Sequence, residues 1–155
     1  MDFGVSPYLT VFVVAMTPVL ELRVAIPLGI SMGLSLMESL FFGVLGSLAP
    51  VPFILLLLDP VMRAVRRAPQ LKRIWLWLDK TNRARAVSLK TYGALGLCIF
   101  VAVPIPSTGA WSGAILASFL GIRFWTAFLS IAAGTVIAGA IVTILSLAGS
   151  HLVGG

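Results

Sequence analysis

The chain has 155 residues, 59% hydrophobic and only 10% charged, with a formal net charge of +6 and a mean hydropathy of +1.09. Soluble domains carry roughly 25% charged residues, so a water-soluble globular fold is excluded and an integral membrane protein is expected. Nine of the eleven basic residues fall between Arg63 and Lys90, which argues for a cytoplasmic loop between two apolar halves under the positive-inside rule rather than for a nucleic-acid platform.

The N-terminus begins with Asp2 and lacks a basic n-region, so the first apolar run is expected to stay in the mature protein. Residues 3–37 are apolar but broken. Residues 8–17 would form about 15 Å of helix, half of a bilayer core of about 30 Å. Pro18, Glu21, Arg23 and Pro27 follow, in the stretch ELRVAIPLG (21–29). Two prolines bracketing two charges predict an interrupted helix, because proline removes a backbone donor and clashes with the preceding turn. Irregular backbone at membrane depth is tolerated only where protein or water surrounds it. Pro27 is placed as the first residue of a new half-helix running to about 31–33.

Glu38 marks an interface. Residues 39–58 are uncharged and long enough for one crossing, kinked by Pro50 and Pro52. Asp59-Pro60 reads as the N-cap and first residue of a further helix. The connector 59–91 interleaves Ile74, Trp75, Trp77 and Leu78 with Lys72, Arg73, Lys80, Arg83 and Arg85. That pattern suits a basic amphipathic helix in the cytoplasmic headgroup region, with a solvated loop as the alternative. Residues 91–122 carry no charge and are too long for one untilted span. They match two half-length segments around VPIPSTGAWSG (103–113). Residues 124–150 make the second full span. The single Cys98 lies in an apolar run and reads as a packing residue.

The halves correspond at an offset of 88 residues, with Pro18 on Pro106, Gly33 on Gly121, and Gly46-Ser47 on Gly134-Thr135. Each carries a small-xxx-small step, Gly29/Gly33 and Gly109/Gly113, of the kind that lets helices approach closely in lipid. The expected fold is an all-α integral membrane protein, one membrane domain over 1–155. It comprises repeat one (3–58), the cytoplasmic connector (59–91) and repeat two (92–150), each repeat a re-entrant helical hairpin plus a transmembrane helix. Four full spans are the alternative. The positive-inside rule favours hairpins, because only then does Arg123 fall on the connector's side. Opposed hairpins make an inverted repeat, and transporters so built place their sites near the midplane, where half-helix N-termini face anionic groups.

Charged residues inside a membrane are costly and mark functional sites by default. Glu21 reads as a proton or cation carrier, or as a carboxylate tying down Arg23 or free backbone donors. At i, i+2 on a helix the two side chains point to nearly opposite faces, so a direct pair requires unwound backbone and otherwise each needs another partner. Arg23 could bind a phosphate or carboxylate through its forked donors, or cap half-helix carbonyls. Pro104 and Pro106 read as fixing the second break by freeing backbone groups, with substrate contact as the alternative. Ser107 and Thr108 could hold an ion or cap the next helix, and Trp111 is either a stacking wall or hairpin packing. No catalytic constellation, phosphate loop or metal-spaced His/Cys set is visible, so no enzyme activity, cofactor or metal is expected.

The pairing of ELRVAIPLG with YGALGL (92–97) and PIPSTGAWSGA (104–114) around a basic connector resembles the small multidrug export protein family, regarded as a distant relative of the DedA/VTT superfamily. The resemblance covers nearly the whole chain. It implies an inverted-repeat membrane protein with two hairpins meeting at the centre, and a transport role in the cytoplasmic membrane of a bacterium or archaeon. DedA relatives are associated with proton-dependent flipping of lipid-linked phosphates, and VTT proteins with lipid scrambling. By resemblance the site residues are Glu21, Arg23, Pro27, Pro104, Pro106, Gly109 and Trp111. The chain departs from the DedA pattern in having Ser107 and Thr108 where an arginine or acid would stand in the second hairpin. The expected function is a small secondary transporter or flippase of an amphipathic or anionic molecule or lipid, with Glu21 as the group that would couple it to protons. Passive lipid scrambling and a non-transporting membrane scaffold are the alternatives. The expected partners are membrane lipids, the transported substrate and a second copy in a homodimer, with no nucleic acid.

Overall fold

The computed structural model describes residues 6–67, 86–103 and 108–153. Among them all regular structure is helical: α1 (Pro7–Met16), α2 (Glu21–Ser31), α3 (Leu36–Leu48), α4 (Val51–Arg67), α5 (Ala86–Ala102), α6 (Ala110–Leu120) and α7 (Phe124–Val153). The core of the connector, with Trp75 and Trp77, lies outside the described residues, as do Pro104, Pro106 and Ser107.

The first break follows from Pro18. A proline pushes the preceding residue out of the helical region, and Thr17 is extended, at φ −73° and ψ 142°. The chain resumes helix at Glu21, not at Pro27, which lies inside α2. Pro18 has already ended α1, so the new helix starts as soon as the turn at 18–20 is complete. Pro27 then costs α2 only the hydrogen bond its missing N–H would give the carbonyl of Arg23. α2 ends as expected, with Gly33 in the left-handed region at φ +90°.

α3 opens with a capping box. Ser35 Oγ accepts from the Glu38 amide at 3.3 Å, while Glu38 Oε2 accepts from the Ser35 amide at 2.8 Å. Tyr8 Oη also donates to Glu38, at 3.1 Å, tying the start of α1 to the start of α3. Ser35→Ala removes the cap and is expected to lower stability by about 1 kcal/mol, read as thermal unfolding in detergent. A turn at Ala49-Pro50 separates α3 from α4. Asp59-Pro60 does not start a helix, because α4, begun at Val51 with Pro52 in its first turn, runs straight through Pro60.

Two stretches are long and apolar enough to cross a bilayer, Leu36–Leu58 and Phe124–Gly149, both with mean hydropathy 2.3. Only 33% of each is buried within the chain. The remainder exposes Phe41, Phe53, Leu57, Trp125, Leu129 and Ile144, an apolar surface far beyond what a soluble monomer leaves open. The chain is a membrane protein.

Among the described residues the interior has three clusters. Val11, Ala15, Ala25 and Leu34 join α1 to α2. Leu22 and Ile26 of α2 pack on Ala138 and Val142 of α7. The largest runs from Val51 and Leu55 of α4 through Leu97 and Val101 of α5 to Ala114, Ala127 and Ile131. α2 is thus held on one side by its own half and on the other by the last helix.

Positions 88 residues apart play corresponding parts. α2 and α6 are each 11 residues, each is followed by a left-handed glycine (Gly33, Gly121), and the next helices start at Leu36 and Phe124. Gly46 lets α3 press on the backbone at Phe12. Gly134 does the same for α7, where a Cβ would come 2.6 Å from the Cys98 carbonyl oxygen. The correspondence ends at Pro50, opposite Ala138: proline interrupts the first span, and α7 continues unbroken.

Candidate functional site

The site lies where the two breaks meet. Glu21 is the first residue of α2 and Ala110 the first of α6, so the acid that opens one helix meets the N-terminus of the other. Glu21 is only 7% exposed, and its Oε1 accepts from the Ala110 amide at 2.6 Å. The Trp111 amide also faces the carboxylate. Gly109 occupies the N-cap of α6 and has no side chain with which to cap it. Glu21 supplies that cap from the other half of the chain, where the N-terminal end of the helix dipole favours negative charge.

Glu21 is also the one non-glycine residue with positive φ among the described residues, at +50°. Holding it in the left-handed region costs roughly 1–3 kcal/mol, a cost that persists only where surrounding structure enforces it and that gathers at functional sites.

Arg23 bonds elsewhere. Its Nη2 donates to the Thr108 carbonyl, to Thr108 Oγ1 at 3.1 Å and to the Val103 carbonyl at 3.3 Å. Thr108 Oγ1 in turn donates to the Val103 carbonyl at 2.7 Å. Val103 directly follows α5, so the guanidinium sits at the negative end of that helix. An acid on the N-terminus of α6 and a base beyond the C-terminus of α5 are both placed as the helix dipoles favour. Together they staple the interruption between α5 and α6. Arg23 Nε is buried and lacks a hydrogen-bond partner among the described residues.

The contact is returned from the second half. Trp111 stands 88 residues after Arg23, and its Nε1 donates to the Met16 carbonyl at 3.0 Å, at the end of α1. Each half therefore places a donor on the carbonyl end of the other half's first helix. The space between these groups is also lined by Leu22, Val101, Thr135 and Ala138, and the described residues leave it too tight for a water molecule.

Of the residues expected from sequence, Glu21, Arg23, Thr108, Gly109 and Trp111 are brought together. Pro27 is not: it sits on the exposed side of α2. Pro104, Pro106 and Ser107 fall outside the described residues. Sequence reasoning missed the Ala110 amide and the Met16 and Val103 carbonyls, which carry no side-chain signal. It also missed Thr135 as a site residue, although the match of Gly134-Thr135 to Gly46-Ser47 had already marked that position.

Such a fold and site define an all-helical membrane protein in which a buried acid and a half-buried base bridge two interrupted helical segments. The chain belongs to the family described as "Putative small multi-drug export protein", whose family model matches residues 21–141, from Glu21 itself through the second break and into α7. It is thus a membrane protein of an export family. No curated protein and no solved structure matches the chain.

Proposed function

We propose that this protein is a small secondary transporter or flippase in the cytoplasmic membrane of a prokaryote, moving an amphipathic or anionic molecule or lipid through the contact between its two breaks. In this reading α1–α2 and α5–α6 are re-entrant hairpins of an inverted repeat. The connector is cytoplasmic, and two copies associate to shield the polar centre. The observation that carries it is the meeting of the α6 N-terminus with the Glu21 carboxylate, with Arg23 alongside, an arrangement suited to holding negative charge inside a membrane. Pro104, Pro106 and Ser107 would shape the second break, and Gly109 and Trp111 its contact with the first.

The tight contact fits a gate. While ionised, Glu21 is held by the Ala110 amide and the α6 N-terminus. Protonation removes the charge that both attract, freeing α2 to part from residues 108–110 and open a path. Proton binding and opening are then one event, which is what coupling requires. Proteoliposomes under an imposed pH gradient, tested with labelled lipophilic cations, anionic amphiphiles and phospholipids, should accumulate or flip at least one of them. Glu21→Gln keeps the shape and the acceptor oxygen but cannot ionise, and gradient-driven movement should fall at least tenfold. Undiminished movement in that variant would remove Glu21 from the mechanism.

A further inference from the structure

Protonation leaves Glu21 with a need that its resting contacts do not meet. A neutral carboxyl carries an O–H donor and requires an acceptor. Arg23, the only other charged residue lining the space among the described residues, has donors alone. Tyr8 and Glu38, the titratable groups of α1 and α3, bond to each other at the helix starts. Cys98 of α5 does not line the space, and α6 carries no titratable side chain. Thr135 of α7 does line it, as the one hydroxyl among the described residues that do, and is fully buried.

Its hydrogen is already committed. Thr135 Oγ1 donates to the Ile131 carbonyl at 2.8 Å, so what the oxygen still offers is lone pairs. Lone pairs attract a carboxylic O–H and repel a carboxylate. The counterpart hydroxyl also serves a break, there as a donor. Ser47, 88 residues earlier and equally buried, reaches across to the Ala15 carbonyl at 3.3 Å, near the end of α1. In the first half the hydroxyl at this position thus already bonds to the interrupted segment.

We propose that Thr135 is a positioning residue of the Glu21 site, accepting the hydrogen bond of the protonated carboxyl once it leaves the Ala110 amide. This rests on the reading of Glu21 as the proton carrier. By favouring the neutral form, Thr135 gives the released side chain a defined second seat.

The test is infrared difference spectroscopy on the purified full chain, following the carboxylic acid band that Glu21→Gln abolishes. Thr135→Val keeps the volume and loses the acceptor, so the protonated form loses a partner and the midpoint of that band should shift down by about half to one pH unit. Thr135→Ser restores the hydroxyl and should restore the wild-type midpoint. A valine variant with the wild-type midpoint, or a serine variant that behaves like valine, overturns the role of Thr135 alone. If no band lost in Glu21→Gln titrates over the pH range in which the protein stays folded, Glu21 is not a proton carrier and the transport reading falls with it.

Discussion

Adding one methyl group at Gly109 should unseat Glu21 and cost about 2–4 kcal/mol of stability. A Cβ at this position would fall where the Glu21 carboxylate now sits. A long side chain usually swings aside cheaply, but this one is buried, fixed by a left-handed backbone and bonded to the Ala110 amide. Displacing it forfeits a charge-assisted hydrogen bond and leaves the N-terminus of α6 without a cap. The backbone of Gly109 is extended, so its own conformation adds nothing to the cost. A double-mutant cycle isolates the cause. In a Glu21→Ala background the methyl no longer meets a carboxylate, and Gly109→Ala should cost less than about 1 kcal/mol. Equal losses in both backgrounds, read as thermal unfolding in mild detergent, would mean that the glycine serves some other contact.

Arg23→Gln should be nearly as damaging, at about 2–3 kcal/mol. One guanidinium nitrogen serves three oxygens on residues 103 and 108, and its removal takes all three contacts while leaving the Thr108 hydroxyl bond to the Val103 carbonyl. The estimate allows for the partial exposure of Arg23, which lets water replace some of what is lost. Arg23→Lys should recover less than half, because a point ammonium cannot reproduce the planar fork. The loss should be local as well as global. Hydrogen exchange at the Ala110 and Trp111 amides should quicken relative to the rest of α6, since the base that holds the end of α5 also keeps the acid's partner in place. Uniform exchange throughout α6 would contradict the staple.

Much of the architecture was legible in the sequence because it is written in residues with strong backbone preferences. Pro18 ended α1 where expected, and Gly33 and Gly121 took up left-handed turns 88 residues apart. The two uncharged runs became the two bilayer-length spans. Where two signals competed, sequence reading chose badly. Pro18 and Pro27 are both possible helix starts, and the earlier one acted first. Asp59-Pro60 has the composition of a helix start, yet α4 was already under way from Val51. The capping box Ser35-x-x-Glu38 stood in plain view but was read only as an interface marker.

The charged residues of the site were legible, and their partners were not. Glu21 and Arg23 stand out as charges in an apolar run, and their i, i+2 spacing argued that on a helix each must look elsewhere. Both do, to backbone groups 80 to 89 residues away. A backbone amide or carbonyl has no letter in a sequence, and the left-handed conformation of Glu21 is imposed by tertiary contacts rather than by its own preference. Gly109 carried a signal of a different kind, since a glycine opposite a carboxylate in a matched half is the one residue that makes room for it.

Proton movement across a proteoliposome membrane tests the role of Glu21 most directly. Addition of a transported substrate should drive protons across the membrane in the wild-type protein. In Glu21→Gln, folded to the same extent, the proton signal should vanish. Substrate-dependent proton movement of wild-type size in that variant would contradict the role assigned to Glu21.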